Sequence, residues 1–182
     1  MSNETDDALL ARYRAGDREA FGDLVIRYQR ALYNAALWIV RNAEDARDVT
    51  QEVFLKVAVR LEDYDPRYKF FSWIYRIAVN ESLNLLRRNG REEELDEEGE
   101  LPAGESANPE WQLVEAQKSR RIRHALMSMS ANDRTLLMLR HFSELSYEEI
   151  AGILELDEKT VKSRLYEARQ RLRELLQDLR TN

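Results

Sequence analysis

The chain has no cysteine, only two histidines, three prolines and six glycines in 182 residues. Without cysteine there is no disulfide, no thiol nucleophile and no thiolate zinc site. The histidines, His124 and His141, lie far apart and lack a ligand pattern, so no metal site is expected. No apolar run approaches the roughly 20 residues of a membrane span, so no membrane insertion is expected. The N-terminal stretch MSNETDDALLARYRAGD is acidic and polar, unlike a secretory signal, which predicts a soluble cytoplasmic protein. No phosphate-binding glycine loop and no nucleophile–base pair appears, so neither an enzyme nor a cofactor is expected.

Strand patterns are lacking too. Few windows alternate with period two, and most apolar residues recur at spacings of three and four, which predicts an all-α fold. With 43% hydrophobic residues the chain has enough for compact helical cores. The net charge of −6 is unevenly spread. Residues 1–90 hold fourteen basic and fourteen acidic side chains, and residues 118–182 hold thirteen against ten. Residues 91–110 hold Arg91 against nine acids, with Gly99, Pro102, Gly104 and Pro109 interspersed. That segment lacks the apolar content to fold and reads as a flexible acidic linker. Two small helical domains are therefore expected, 1–90 and 110–182, joined by residues 91–109.

In the first domain, Asp6 or Asp7 caps a helix ending near Gly16, and Asp17 caps a second. The second helix buries Phe21, Leu24, Val25, Tyr28, Leu32, Ala35 or Ala36, and Ile39. A break at Arg41-Asn42 leads to a third helix. Its apolar stripe is Ala46, Val49, Val53, Leu55 or Val57, and Leu61, and its other face is acidic. Tyr64-Asp65-Pro66 ends it, since the residue before proline avoids the helical region. A fourth helix from about Arg67 to Asn89 buries Phe71, Ile74, Ile77 or Ala78, and Leu85. A second stripe on it, Trp73, Arg76, Asn80, Asn84 and Arg87, is polar apart from its tryptophan. Buried helices rarely carry two asparagines on one face without partners.

The second domain begins with a helix having Pro109 in its first turn. Another helix runs from about Ala131 to Phe142. Ser146 and Glu149 then form a capping box, so a helix starts at Tyr147. Asp157 caps the last one, whose stripe is Val161, Leu165, Ala168, Leu172 and Leu176. Lys159, Ser163, Tyr166 and Gln170 lie opposite that stripe, with Lys162 and Glu167 on the flanks. Small polar and basic residues facing outward from a second helix are the pattern of a DNA-reading helix-turn-helix. Periodicity alone leaves an ordinary two-helix hairpin open.

Four stretches, AFGDLVIRYQRALYNAA, EDARDVTQEVFLKV, YDPRYKFFSWIYRIAVNESLNLLRR and LSYEEIAGILELDEKTVKSRLYEARQRLREL, occur in the order seen in one family. With the linker between them, the chain resembles a bacterial RNA polymerase sigma factor of the extracytoplasmic-function group. These keep only the second and fourth conserved sigma regions. The resemblance implies promoter-specific transcription initiation with core RNA polymerase, touched at the β′ clamp helices and the β flap. It also implies promoter DNA and an anti-sigma factor as partners.

By this resemblance, Asp45, Asp48, Gln51 and Glu52 dock on the clamp helices. An acidic, amide-bearing face suits a basic partner helix, although a solvated face carries the same charges. The loop before the fourth helix, and that helix, would read the −10 element as single-stranded DNA. The candidates are Lys56, Tyr64, Lys69, Trp73, Arg76, Asn80, Asn84, Arg87 and Arg88. Asparagine both donates to and accepts from a base edge, and lysine and arginine hold phosphates. Trp73 is either a melting wedge or core.

The helix-turn-helix would read the −35 element in the duplex major groove. Its candidates are Lys159, Lys162, Ser163, Arg164, Tyr166, Glu167, Arg169, Gln170 and Arg171, with Arg164, Arg169 and Arg171 assigned to the backbone. Two residues depart from the family pattern. Glu155 stands where a turn glycine is usual, which predicts either a longer turn or mild strain of about 1–2 kcal/mol. Glu167 stands where a basic residue is frequent. The acidic linker either threads the RNA exit channel or is a solubilising spacer. A regulator touching DNA only with its C-terminal domain would leave the Asn80–Asn84 stripe and the acidic third helix unused.

Overall fold

The computed structural model describes residues 4–90 and 121–181, apart from 142 and 144. The acidic segment 91–109 and the helix expected from Pro109 lie outside the described residues. Among the described residues there is no strand. None of their helices is long and apolar enough to cross a membrane.

The N-terminal domain holds α1 (Asp6–Arg14), α2 (Arg18–Val40), α3 (Ala43–Arg60), a 3-10 turn (Leu61–Asp63) and α4 (Phe70–Arg88). Helix α2 is its axis, with α1, α3 and α4 packed around it. Local chemistry sets the breaks. Thr5, not Asp6 or Asp7, caps α1, its hydroxyl accepting from the Ala8 N–H at 3.3 Å. Thr5 has the extended backbone a cap needs. Asp6 already lies inside the helix, where it accepts from Arg27 at 2.6 Å and from the Tyr28 hydroxyl. Asp17 caps α2 through Glu19 and also holds Arg12 at 2.7 Å, tying α1 to α2. Arg41 leaves α2 in the left-handed region (φ 63°), and Asn42 then accepts from the N–H groups of Glu44 and Asp45 to start α3.

The C-terminal domain holds α5 (described over residues 121–127), α6 (Ala131–His141), α7 (Tyr147–Leu154) and α8 (Glu158–Thr181). Helix α6 packs on α7 and α8 but also on α2 of the other domain, while α7 packs on α4. The buried residues of the two domains thus form one continuous apolar cluster. This contact changes two sequence expectations. All of α2 from Ala35 to Val40 is buried, because α6 covers the side opposite the domain's own core. Helix α4 is covered on two sides, so its core face runs Phe70, Ile74, Tyr75, Ala78, Val79, Leu83 and Leu86, with Phe71, Ile77 and Leu85 only half-buried. On α3 the ambiguity resolves to Val57, which is buried, while Leu55 is exposed.

Candidate nucleic-acid and polymerase interfaces

About three turns of helix place Asp48, Glu52, Leu55 and Val59 along a single side of α3, since residues three and four apart share a face. All four are exposed, as is Gln51, and Asp45 is half-buried at the margin. The acids occupy the N-terminal half of this stripe. Leu55 and the 83% exposed Val59 continue it. Reading Leu55 as a core candidate concealed this apolar extension. Its signal was the spacing of 3 and 4 from Asp48 through Glu52 to Leu55 and Val59.

The polar stripe of α4 faces outward as expected. Arg76, Asn80, Asn84, Arg87 and Arg88 are exposed. Arg87 donates to the Asn84 side-chain oxygen at 3.0 Å, which orients that amide. Trp73 is half-buried, its ring 5.5 Å from Tyr64 and 5.8 Å from Phe70. Tyr64 is taken off the candidate face: it is only 4% exposed, and its hydroxyl donates to the Tyr68 carbonyl at 2.7 Å. Burial raises its phenol pKa. Tyr64 therefore holds the loop in place rather than offering a ring. The ring that is offered belongs to Tyr68, 68% exposed in the same loop, which the sequence reading passed over. Lys56 is also redirected. Its ammonium lies between Glu81 at 2.6 Å and Glu52 at 3.4 Å, a tie between α3 and α4.

The helix-turn-helix is built by the residues that announced it. Ser146 and Glu149 form both bonds of the capping box. Glu155 turns the chain in the left-handed region (φ 54°, ψ 43°), a conformation that costs a non-glycine residue about 1–2 kcal/mol. Asp157 accepts from the Thr160 N–H at 2.8 Å and hydroxyl at 2.6 Å, which lowers its pKa. Val161, Leu165 and Ala168 are then fully buried. The opposite side exposes Lys159, Lys162, Ser163, Arg164, Tyr166 and Glu167. Lys162 lies 5.3 Å above the Tyr147 ring of α7 and 3.2 Å from Glu158 in the first turn of α8, so its ammonium is held between the two helices.

Three candidates further along α8 are engaged inside the domain. Arg171 donates to Asp133 of α6 at 2.5 Å and to Glu167 at 3.2 Å. Arg169 donates to the His141 Nε2 at 3.4 Å. Gln170 accepts from Arg173 at 2.6 Å. About three turns into α8, Arg169 and Arg171 thus reach across to α6 and brace the helix, while the Gln170 bond stays within α8. The bond from Arg171 also neutralises Glu167, the acid that departed from the family pattern. No cluster of potential metal ligands occurs among the described residues.

Two faces thus expose amide, hydroxyl and cationic side chains, one on α4 and one on α8, and a third on α3 carries acids beside exposed aliphatics. Comparison with known proteins places this arrangement. Residues 24–92 match the family model for Sigma-70 region 2, and residues 119–172 match that for Sigma-70, region 4. The chain is 32% identical to RNA polymerase sigma-H factor of Pseudomonas aeruginosa, over 98% of this chain and 97% of that one. It is 33% identical to ECF RNA polymerase sigma-E factor of Escherichia coli, over 96% of each. Its identity to ECF RNA polymerase sigma factor SigW of Bacillus subtilis is 30%, over 93% and 96%.

Among solved structures, it is similar to CnrH in complex with the cytosolic domain of CnrY (TM-score 0.70, 27% identity, 96% of this chain and 99% of that one). It is also similar to the sigma factor RpoE in complex with the anti-sigma factor NepR from Bartonella quintana (TM-score 0.65, 27% identity, 86% and 96%). The chain therefore belongs to the ECF group of RNA polymerase sigma factors, transcription initiation proteins rather than catalysts, and carries sigma regions 2 and 4 in that order.

Proposed function

We propose that this sigma factor docks on core RNA polymerase through the α3 stripe, reads the −35 element as duplex with α8, and holds the −10 element as unpaired strand on α4. The observation that carries this reading is the exposed stripe Arg76, Asn80, Asn84, Arg87 on α4. Two amides between two guanidiniums suit a strand whose bases must be hydrogen-bonded while its phosphates are neutralised. Tyr68 at the loop tip adds a ring for stacking. On α8 the readers are Lys159, Lys162, Ser163, Arg164 and Tyr166. Lysine donates to guanine O6 and N7, and Ser163 accommodates several bases. The α3 acids meet a basic partner helix, and Leu55 and Val59 give that contact its dry part.

The protein would work in the cytoplasm, where core polymerase is, and would take an anti-sigma partner as RpoE of Bartonella quintana does with NepR. With no cysteine in the chain, any thiol-based sensing lies in that partner.

Reconstituted transcription with purified core polymerase tests the reading. Wild type is expected to start at discrete promoters. The folded double variant Asp48→Arg/Glu52→Arg is expected to lose copurification with core polymerase and all initiation. Tyr166→Ala is expected to weaken specific −35 sequences by about 1–3 kcal/mol per lost base contact while sparing others. A folded double variant that still copurifies would remove α3 from the docking role.

A further inference from the structure

The ammonium of Lys162 is held in place before any DNA arrives. It lies 5.3 Å from the centre of the Tyr147 ring and 3.2 Å from a carboxylate oxygen of Glu158. Tyr147 opens α7 and Glu158 opens α8, so both helices of the helix-turn-helix contribute to this point. The ring is fixed in turn from α6. Arg140 donates to the Leu145 carbonyl at 2.8 Å, and its guanidinium lies 5.1 Å from the centre of the same ring. An aromatic face attracts cations, so the ring collects one charge from α6 and another from α8. Arg140 and Tyr147 are half-buried, while Lys162 and Glu158 are exposed.

A free lysine, on its long flexible stem, donates to whichever acceptor is nearest, phosphate or base. Held in this way it points in one direction. Nor is the held group a bare cation. Lys162 offers donors and Glu158 offers acceptors, 3.2 Å apart and one turn apart along one side of α8.

That spacing has a counterpart in the major groove. There a G·C pair presents the O6 and N7 acceptors of guanine beside the N4 donor of cytosine. O6 and N4 are hydrogen-bonded to each other, hence about 2.9 Å apart. An ammonium on O6 and a carboxylate on N4 match that edge. An A·T pair shows the reverse order at the same places, the N6 donor and then the O4 acceptor. It sets donor against donor and acceptor against acceptor.

We propose that Glu158 and Lys162 act as one reading unit that selects a single G·C pair of the −35 element. Glu158 is the specificity-determining residue on the cytosine, and Tyr147 is a positioning residue for the unit. This rests on the reading of α8 as the −35 helix. It gives the carboxylate a use. Near phosphates alone, Glu158 only weakens binding. Beside a cytosine amine it adds a bond, and beside a thymine O4 it adds a repulsion. Glu167, further along α8, lacks that freedom, because its partner Arg171 is anchored on Asp133.

The test uses holoenzyme reconstituted from purified core polymerase and the full chain. Templates carry a fixed −10 element and every sequence across the −35 element, and transcript yield is read for each. Lys162→Ala locates the base pair, since the preference for guanine is expected to vanish at one position. Glu158→Ala is expected to act at that same position, its ratio of G·C over A·T falling roughly 5- to 150-fold, the worth of one good base contact. Yield from the A·T templates is expected to rise, because the repelling carboxylate is gone. Glu158→Gln is expected to relax the same ratio, since an amide both donates and accepts. Tyr147→Leu is expected to blur this position without changing the salt dependence of promoter binding, as no charge is lost. Tyr147→Phe keeps the ring and is expected to restore the wild-type profile.

A Glu158→Ala profile like that of wild type, a change at another position, or an equal change on all templates would overturn the paired reading. An equal change on all templates in Lys162→Ala would instead reject Lys162 as a base reader, and with it the reading of α8 on which the pair stands. A wild-type profile in Tyr147→Leu would remove Tyr147 from the unit. Glu158 is exposed and Asp157 keeps the cap of α8, so the Glu158 variants decide even should Tyr147→Leu not fold.

Discussion

The guanidinium of Arg171 on α8 lies 2.5 Å from the largely buried carboxylate of Asp133 on α6. That contact binds the long helix of the C-terminal domain to the helix at its centre, and the carboxylate raises the Arg171 pKa in turn. A residue so engaged acts on the fold before it acts on DNA. Arg171→Leu is expected to lower the melting temperature, because Asp133 is left buried without its partner. Asp133→Leu combined with Arg171→Leu is expected to recover part of that loss, the non-additivity that marks direct coupling. Thermal denaturation of the two singles and the double checks it. An unchanged melting temperature in Arg171→Leu, with a shallower salt dependence of DNA binding, would return the residue to the phosphate-contact role.

His141 gives the C-terminal domain a pH dependence of definite sign. Its Nε2 faces Arg169 at 3.4 Å, and a guanidinium can only donate, so this contact favours the neutral ring. Burial, then the charges of Arg169 and Arg140, hold its pKa below the ordinary value. An unfolded histidine titrates near 6.5, so on acidification the unfolded chain takes up the proton first. The contribution is therefore complete above about pH 6.5 and falls as pH drops from there to the lower folded value. The carboxylates lowered by their partners, Asp17, Glu149 and Asp157, act in a separate window below about pH 4.5. Melting temperatures at pH 7.5 and 5.5 are expected to differ less in His141→Gln than in wild type. Equal differences in the two proteins would remove His141 from the account.

What could be read from the sequence was what one helix decides by itself. The capping box of Ser146 and Glu149, the caps at Asp17 and Asp157, the turn at Glu155 and the stripe Val161–Leu165–Ala168 are set within a few residues. What could not be read depended on a second helix. Phe70 and Phe71 are both apolar, and only the packing of α2, α3 and α7 around α4 decides that Phe70 goes inside. Leu55 and Val57 pose the same choice on α3. Tyr64 looked like a loop aromatic because its acceptor, the Tyr68 carbonyl, becomes its neighbour only when the loop closes. Arg134 carried no warning at all. Its acceptors are main-chain carbonyls more than 90 residues away, and carbonyls leave no mark in a sequence.

Asn80 combines what both levels of reading supply. It stands mid-helix on α4, exposed, between Arg76 and Asn84 on the outward stripe. Its neighbours Ala78, Val79 and Ser82 are buried, so the core of this helix does not depend on its amide. Alanine is also the better helix former, by a few tenths of a kcal/mol. Asn80→Ala is therefore expected to keep or slightly raise thermal stability and to leave polymerase binding, which we propose uses α3, unchanged. A base outside the stack does need paired donor and acceptor groups. Open-complex formation is expected to weaken by about 1–3 kcal/mol, the discrimination of one good bidentate contact. Permanganate footprinting of unpaired thymines measures it on two templates. If the amide recognises a base, the defect persists on a template already melted across the −10 element; if it helps to melt the duplex, the defect disappears there. Asn84→Ala is expected to share the defect, because Arg87 already orients that amide beside it. Wild-type opening by Asn80→Ala on both templates would sink the assignment, and would leave α4 with a polar stripe that solvent alone accounts for.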